Sequence, residues 1–403
     1  MKRPGEPPWK GGVATADSAY ISPRPRRDPP VVLLEYLISF GLAMAVSALV
    51  LPTLIREAHR VGAVDRPGGR RGHSGDIPRL GGIGIFLGFV AGAGSALLLA
   101  GQASSLGDAS SGFPWAGAGL GATIVFAAGV LDDFHQLRPR TKFALQLLGT
   151  GVAVAFGVRI DAVSFPAGDP VVLGVWSPLV TAGWILVVTN AMNLIDGLDG
   201  LAGGLALIVT TVMAFVSLAL GHFGSAICAV AIAGALVGFL RYNLNPARIF
   251  MGDGGSQFLG FMLAIISIRG SIKGAAAVAL TMPLLVLGVP LIDLMTTIAR
   301  RAFRRGEAEP LFARSLLRRI SSADREHLHH NLVDMGMSPR RAVLALYLLA
   351  SLFALAGYLS LARNSLPLAG LLLILGVGSV AIVKFAFSSA PRSQPMPRPR
   401  EDV

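Results

Sequence analysis

Apolar segments about 20 residues long recur along the chain, and a helix of that length can cross a hydrocarbon core about 30 Å thick. Of the 403 residues, 53% are hydrophobic and 14% are charged, against about 25% charged residues in a soluble domain. The sequence therefore predicts an all-α fold, a polytopic integral membrane protein with about eleven transmembrane helices. The predicted spans are 32–55, 80–101, 115–131, 142–158, 176–193, 201–220, 224–240, 257–269, 275–299, 342–362 and 366–387.

The two ends of the chain differ in composition from the apolar part. Residues 1–30 are rich in Pro, Gly and charge and lack apolar periodicity, which predicts a disordered basic tail. Residues 31–390 are predicted to form a single transmembrane domain, and residues 391–403 a disordered C-terminal tail. Cys228 is the only cysteine, which excludes a scaffold held by internal disulfides.

Basic residues are distributed unevenly between the predicted loops. Loops after odd-numbered spans hold most of them, and the positive-inside rule places those loops in the cytoplasm. The basic N-terminal tail opposes this orientation, because it too favours the cytoplasm. The net charge of +12 is typical of loops that face anionic lipid, and no base-reading motif indicates nucleic-acid binding. The even-numbered loops hold only Arg159, Arg269, Lys273 and Arg363.

Nearly every cluster of Asp, Asn and His lies in the same odd-numbered loops, so one face of the membrane is predicted to carry the function. Two adjacent carboxylates, Asp132 and Asp133, end an apolar helix. A carboxylate at membrane depth costs about 2.5–3.5 kcal/mol, and the pair also opposes the helix macrodipole. An ordinary helix end is the simpler alternative, but a functional site is favoured. The clusters occupy residues 65–82, 131–146, 190–204, 245–260 and 324–338.

In the third cluster, Asn190, Asn193, Asp196 and Asp199 recur every three residues, a spacing that lets them line one curved wall of a site. The neighbouring glycines allow the helix to break and the backbone to approach a ligand. A Gly-rich connection with Asp as turn and cap residues is the alternative, and it leaves the two asparagines unexplained.

The last two clusters indicate phosphate and cation binding. Asp253 lies in a Gly-rich turn before a helix, where backbone N–H groups suit phosphate oxygens and the carboxylate suits a cation. His327, His329 and His330 follow a run of arginines, and this combination suits a phosphate better than zinc. A solvated basic loop is the alternative. Carboxylates, amides and basic groups beside a hydrocarbon phase fit phosphoryl transfer from a soluble donor to a lipid acceptor.

In this order, the five clusters resemble those of the bacterial polyprenyl-phosphate N-acetylhexosamine-1-phosphate transferases, relatives of phospho-N-acetylmuramoyl-pentapeptide transferase. The resemblance runs from the first span to about residue 340. It implies transfer of a sugar 1-phosphate, in the first place N-acetylglucosamine 1-phosphate, from a UDP-sugar to undecaprenyl phosphate with release of UMP. The implied cofactor is Mg²⁺, with Mn²⁺ as an alternative.

The resemblance also implies a location and partners. The location is the bacterial inner membrane, with the active site on its cytoplasmic face. The partners are undecaprenyl phosphate, a UDP-N-acetylhexosamine and membrane lipids, but no nucleic acid, and a homodimer is left open.

Roles follow from the resemblance residue by residue. Asp132 would orient or deprotonate the lipid phosphate, and Phe250 would stack on uracil. The implied catalytic residues are Asp132, Asp133, Asp196, Asp199, His327, His329 and His330. The implied substrate-binding residues are His73, Lys142, Asn190, Phe250 and Arg325, and the implied metal ligands are Asp253 and Asn193.

Two alternatives remain open at the level of sequence. The muramoyl-pentapeptide transferase is the nearer one, although the histidine loop and the pattern over 65–82 favour the N-acetylglucosamine branch. An ion-coupled secondary transporter is the other, and it predicts ionisable residues at mid-membrane and internal repeats.

Overall fold

The computed structural model describes residues 29–65, 75–99, 113–163, 171–270, 332–333 and 336–362. The predicted spans 275–299 and 366–387 and nearly all of both predicted tails lie outside these residues. The α-helices of the described part are α1 (Pro29–Val61), α2 (Gly81–Leu99), α3 (Trp115–His135), α4 (Pro139–Ala155), α5 (Ser177–Ile195), α6 (Leu201–Ala219), α7 (Phe223–Asn243), α8 (Gly252–Gly270) and α9 (Pro339–Ala362).

The helical membrane fold predicted from the hydropathy is confirmed. Within the described residues, five helices are long and apolar enough to cross a membrane, and α2 adds a shorter apolar helix. The total of eleven spans stays a prediction. The five segments are Leu33–Val61, Trp115–His135, Gly174–Ile195, Leu201–Ala219 and Phe223–Asn243.

Short strands, which the sequence did not predict, connect some of the helices. Strand β1 (Val64–Asp65) pairs antiparallel with β2 (Ile77–Pro78), with Asp65 opposite Ile77. Strand β3 (Ala162–Val163) pairs in the same sense with β4 (Val171–Val172), just before a 3₁₀ turn that leads into α5. Two-residue strands show no readable alternation of polar and apolar residues. The first pair matters for the site, because it holds the entry to α2.

Helix α8 lies at the centre of the described helices and packs against α2, α3 and α5. Its side chains are almost all buried, and the Phe258 ring meets those of Phe86 and Phe126 at centroid distances of 5.2 and 6.2 Å. The helix begins at Gly252, so the predicted start at 257 is wrong by five residues. The first turn is polar and Gly-rich, and hydropathy does not mark such a turn as helical.

Glycines bring α2, α3 and α8 close together at one end of the bundle. A side-chain carbon at Gly82 would lie 2.2 Å from the backbone nitrogen of Gly255. A side-chain carbon at Gly129 would lie 2.5 Å from the carbonyl oxygen of Asp253. Because neither position has room for a side chain, the ends of α3 and α8 can meet backbone to backbone.

Candidate active site

An open pocket lies where the C-terminal ends of α3 and α5 meet the N-terminal end of α8. It brings together residues from four of the five polar clusters, and four carboxylates are among them. We call it the acidic pocket. Its lining residues are Arg79, Asp132, Asp133, Gln136, Leu137, Asn193, Asp196, Gly252 and Asp253.

The two adjacent carboxylates of α3 have different surroundings. Asp133 accepts hydrogen bonds from the backbone N–H groups of Asp253 (2.7 Å) and Gly254 (2.9 Å). It therefore caps the first turn of α8, where a negative charge is favourable, although it lies at the unfavourable end of its own helix. Asp132 accepts a hydrogen bond from the backbone N–H of Leu137 at 2.6 Å and turns its other oxygen towards Lys142.

Lys142 joins the carboxylates of two helices. Its Nζ lies 2.5 Å from Oδ2 of Asp253 and 3.0 Å from Oδ2 of Asp132. The lysine extends from the first turns of α4, where only a fifth of its side chain is exposed. The sequence resemblance implies that Lys142 contacts phosphate. The structure places its ammonium group at the centre of the acidic pocket's charge network.

Asn193 completes the surroundings of this ammonium group. Its neighbours fix the orientation of the amide. The oxygen accepts from Lys142 Nζ at 3.1 Å, and the nitrogen donates to Asp253 Oδ1 at 2.9 Å and to Ser256 Oγ at 2.8 Å. One amide and two carboxylates from α3, α5 and α8 thus converge on a single point.

Acidic side chains outnumber basic ones in the pocket. Its lining holds four acidic side chains and one basic one, Arg79, and Lys142 adds a second basic group beside Asp132 and Asp253. Burial and the neighbouring Asp132 carboxyl raise the pKa of Asp253 to about 6, against the effect of Lys142. Asp253 precedes the apolar stretch of α8, and at neutral pH it remains mostly ionised. Oxygen donors with a net negative charge are the chemistry that Mg²⁺ prefers.

The acidic groups do not by themselves form a complete metal site. Across the described ranges, no three His, Cys, Asp or Glu side chains are arranged to hold a metal ion. Proteins usually hold Mg²⁺ with one or two carboxylates together with substrate phosphates and water.

Arg79 also lines the pocket and was not among the predicted site residues. Its guanidinium hydrogen-bonds to the carboxylate of Asp65 on β1. The pairing of β1 with β2, extended by a bond from the backbone N–H of Arg79 to the carbonyl of Ala63, brings these two residues together. The sequence signal for Arg79 was its unusual charge just before the Gly81–Gly82 pair.

The interpretation of four polar residues along one wall is only half right. Asn193 and Asp196 line the pocket, but Asn190 donates instead to Gln146 Oε1 (3.0 Å) and to the carbonyl of Leu186 (2.8 Å). Asp199 accepts from Asn245 Nδ2 (2.9 Å), away from the lining. Helix α5 ends at Ile195, so the spacing of three residues does not continue on one helix face.

Among the other predicted residues, one lies beside the pocket and the rest fall outside the described residues. The side chain of Phe250 is not among the lining residues, and its backbone pairs with Pro78 and Gly81 beside the pocket. The stacking of Phe250 on uracil stays a prediction. The remaining predicted residues, His73, Arg325, His327, His329 and His330, lie outside the described residues.

Comparison with known proteins assigns the chain to a family. Residues 115–271, which include α3 to α8, match the model of glycosyl transferase family 4. The chain is 34% identical over 326 residues to a probable undecaprenyl-phosphate N-acetylglucosaminyl 1-phosphate transferase of Bacillus subtilis. The matched residues cover 80% of this chain and 84% of the relative. The chain belongs to glycosyl transferase family 4.

Other relatives in this family have related names. A decaprenyl-phosphate N-acetylglucosaminephosphotransferase of Mycobacterium tuberculosis is 36% identical over 370 residues, which cover 85% of this chain and 87% of the relative. An undecaprenyl-phosphate alpha-N-acetylglucosaminyl 1-phosphate transferase of Escherichia coli is 27% identical over 317 residues, 77% of this chain and 80% of the relative. The family-4 chain is therefore a membrane-bound transferase, which decides against the ion-coupled transporter.

Proposed function

We propose that this family-4 transferase moves N-acetylglucosamine 1-phosphate from its UDP-sugar to a polyprenyl phosphate, undecaprenyl phosphate in the first place, and releases UMP. The observation that carries the proposal is the meeting of Asp132, Asp253 and Asn193 around Lys142 at the end of the helix bundle. Carboxylates and an amide can hold the divalent cation that phosphoryl transfer needs, and the ammonium group can offset phosphate charge. The names of the relatives support the sugar and the lipid.

The acidic residues have a clear task in such a reaction. A phosphate monoester is mostly ionised at neutral pH, because its second pKa is about 6. The acceptor therefore needs little help from a general base, and Asp132 would chiefly orient it for attack on the donor's sugar-linked phosphate. Lys142 lies between Asp132 and Asp253, so it would offset charge as the two anionic substrates approach each other.

We further propose Mg²⁺ as the cofactor, held by Asp253 with Asn193 as a second ligand. When bound, the ion would supply charge stabilisation for the diphosphate and for the departing UMP. Support comes from the oxygen donors of Asp253 and Asn193 and from the excess of acidic over basic side chains described above. The chain's own residues fix where such an ion can bind, because Asp133 holds the first turn of α8 and with it Asp253.

Finally, we propose that the pocket opens to the cytoplasm at the bacterial inner membrane. The distribution of Lys and Arg supports this orientation, since the clusters that line the pocket lie in the basic loops. A UDP-sugar made in the cytoplasm would then reach the pocket without crossing the membrane.

The decisive test is isotope exchange with purified protein. Radiolabelled UMP is incubated with unlabelled UDP-N-acetylglucosamine, and label is expected in the sugar nucleotide only when a polyprenyl phosphate and Mg²⁺ are both present. A parallel assay with UDP-N-acetylmuramoyl-pentapeptide separates the two branches. Exchange with the pentapeptide donor and none with UDP-N-acetylglucosamine would overturn the assignment of N-acetylglucosamine.

A further inference from the structure

A second set of polar side chains lies one helical turn below the acidic pocket. Gln146 on α4 donates from Nε2 to Oε1 of Gln257 on α8 at 3.0 Å, and its own Oε1 accepts from Asn190 Nδ2 on α5 at 3.0 Å. Gln146 is 1% exposed and Gln257 is fully buried. We call these three residues the amide layer.

The amide layer mirrors the pocket above it. On α4, Gln146 follows Lys142 by four residues, and on α8 Gln257 follows Asp253 by four. On α5, which runs in the opposite sense, Asn190 precedes Asn193 by three. Residues three or four apart lie on the same face of a helix, so each member of the layer lies one turn from Lys142, Asp253 or Asn193.

Helix α4 packs against fewer of the described helices than α5 or α8 does. Most of its surface is exposed, including Phe143, Leu147 and Leu148, and it packs chiefly against α3 with a smaller contact to α5. Small residues form the α3 contact, since a side-chain carbon at Gly149 would lie 2.8 Å from the carbonyl oxygen of Gly121. Apolar packing of this kind restrains the sliding and rotation of α4 less than hydrogen bonds between fixed partners do.

We propose that Gln146, Asn190 and Gln257 are positioning residues, which fix α4 against α5 and α8 so that the Lys142 ammonium meets Asp253 and Asn193. The expected effect of these residues on kcat rests on the proposed function. None of the three residues is among the lining residues of the acidic pocket, so the layer would act through Lys142. It also gives Asn190 a role different from the substrate contact that the sequence resemblance implies.

The test is a double-mutant cycle in the full-length protein. Gln146→Met keeps the length and helix propensity of the side chain but removes both hydrogen bonds. We expect kcat of the exchange to fall about 10- to 100-fold, because a shift of about 1 Å at a reacting group has that effect. The donor KM should change less than about twofold, because no substrate contact is lost. Lys142→Met is the second member of the cycle.

The decisive result is whether the effects of the two substitutions on activity are coupled. If Gln146 acts through Lys142, adding Gln146→Met to Lys142→Met changes the residual activity by less than about twofold. Effects that multiply would overturn the proposal, because they would mean that Gln146 acts independently of Lys142.

A matched control lies on the same face of α4. Thr150 is 1% exposed, and its hydroxyl has no hydrogen-bond partner among the described residues. Thr150→Val keeps the shape of the side chain, so its kcat should match that of the unchanged protein. A loss in Thr150→Val as large as that in Gln146→Met would also overturn the proposal, because any polar change in α4 would then be equivalent.

A readout without substrate separates this proposal from the proposed function. The same cycle is measured on the midpoint of thermal unfolding in detergent. Non-additive shifts for Gln146→Met and Lys142→Met support the positioning role even if the unchanged protein shows no exchange with UDP-N-acetylglucosamine. In that case only the proposed function fails. Additive shifts overturn the positioning role whatever the substrate is.

Discussion

Asp196 and Asp199 are three residues apart in the sequence but belong to two different parts of the molecule. Asp196 lines the acidic pocket. Asp199 accepts two hydrogen bonds at a single oxygen, from Asn245 Nδ2 at 2.9 Å and from the backbone N–H of Ala247 at 3.0 Å. We call the second region the turn network. Its residues are Asp199, Gly200, Asn243, Asn245, Arg340 and Tyr347.

The turn network pairs its polar side chains largely with backbone atoms. Asn243 accepts from the N–H of Gly200 at 3.0 Å and donates to the carbonyl of Ile249 at 2.8 Å. Tyr347 on α9 donates to the carbonyl of Gly200 at 2.5 Å. In the acidic pocket, by contrast, carboxylates from different helices converge on one ammonium group and retain a net negative charge. Satisfied backbone groups indicate a structural role, whereas an uncompensated cluster of like charges indicates a binding site.

The largest expected effect is the removal of divalent cations, which should affect the pocket and leave the turn network intact. With a chelator, exchange should fall by more than about 10²-fold and return on addition of Mg²⁺ or Mn²⁺, because charge stabilisation of the diphosphate is lost. The unfolding midpoint without substrate should move little. Full activity in the presence of chelator would exclude the metal-dependent mechanism.

Asp253→Asn should lower kcat of the exchange by about 10²- to 10³-fold, because one negative charge at the proposed metal site is removed. Its matched partner is Asp199→Asn in the turn network. An asparagine oxygen can accept both bonds that Asp199 Oδ2 accepts, so this variant should keep activity within about fivefold and fold normally. Comparable losses in the two variants would contradict the distinction between the regions and restore the catalytic role of Asp199 implied by the sequence resemblance.

The two neighbouring carboxylates of α3 should differ in their effects on stability. Asp133→Asn replaces one acceptor oxygen with an amide nitrogen facing a backbone N–H of α8, so the free energy of unfolding should fall by about 1–2 kcal/mol together with activity. Asp132→Asn should lower activity by about 10²-fold with a smaller effect on stability, since only the ion pair with Lys142 is weakened. Denaturant titration in detergent and the exchange assay measure both quantities. Equal stability losses would show that Asp133 is not the cap of α8.

The sequence predicted the membrane fold and the convergence of four polar clusters because carboxylates and amides at the ends of apolar helices are costly unless they meet one another. It could not separate Asn193 from Asn190 or Asp196 from Asp199. All four share one spacing, and the separation depends on the end of α5 at Ile195 and on the turn that follows.

Arg79, Gln146 and Gln257 were missed for different reasons. The pairing of Arg79 with Asp65 depends on strands of two residues each, which leave no pattern in the sequence. Gln146 and Gln257 did leave a signal, because isolated polar residues inside apolar helices usually have a partner or a function. That signal identifies the residues but not their partners, since the pairing follows from the arrangement of α4, α5 and α8.

Asp199→Ala tests the structural role of the turn network directly. Alanine leaves Asn245 Nδ2 and the N–H of Ala247 without their acceptor, and a buried or half-buried donor without a partner costs about 1–3 kcal/mol. The free energy of unfolding should fall by that amount, with a smaller loss of kcat than in Asp253→Asn. A fully stable but inactive Asp199→Ala protein would contradict this assignment.

The smallest expected effect is at Arg340, which links α9 to the turn network from the surface. Its guanidinium donates to Oδ1 and to the carbonyl of Asn245 at 2.9 and 3.0 Å, and its side chain is exposed. Arg340→Met should lower the free energy of unfolding by only about 0.2–1 kcal/mol, as expected for exposed charged contacts. The exchange activity should remain within about twofold, because Asn245 keeps its bond to Asp199. A loss of activity near that of Asp253→Asn, without a loss of stability, would place α9 among the elements that act on the substrate and would remove the contrast between the two regions.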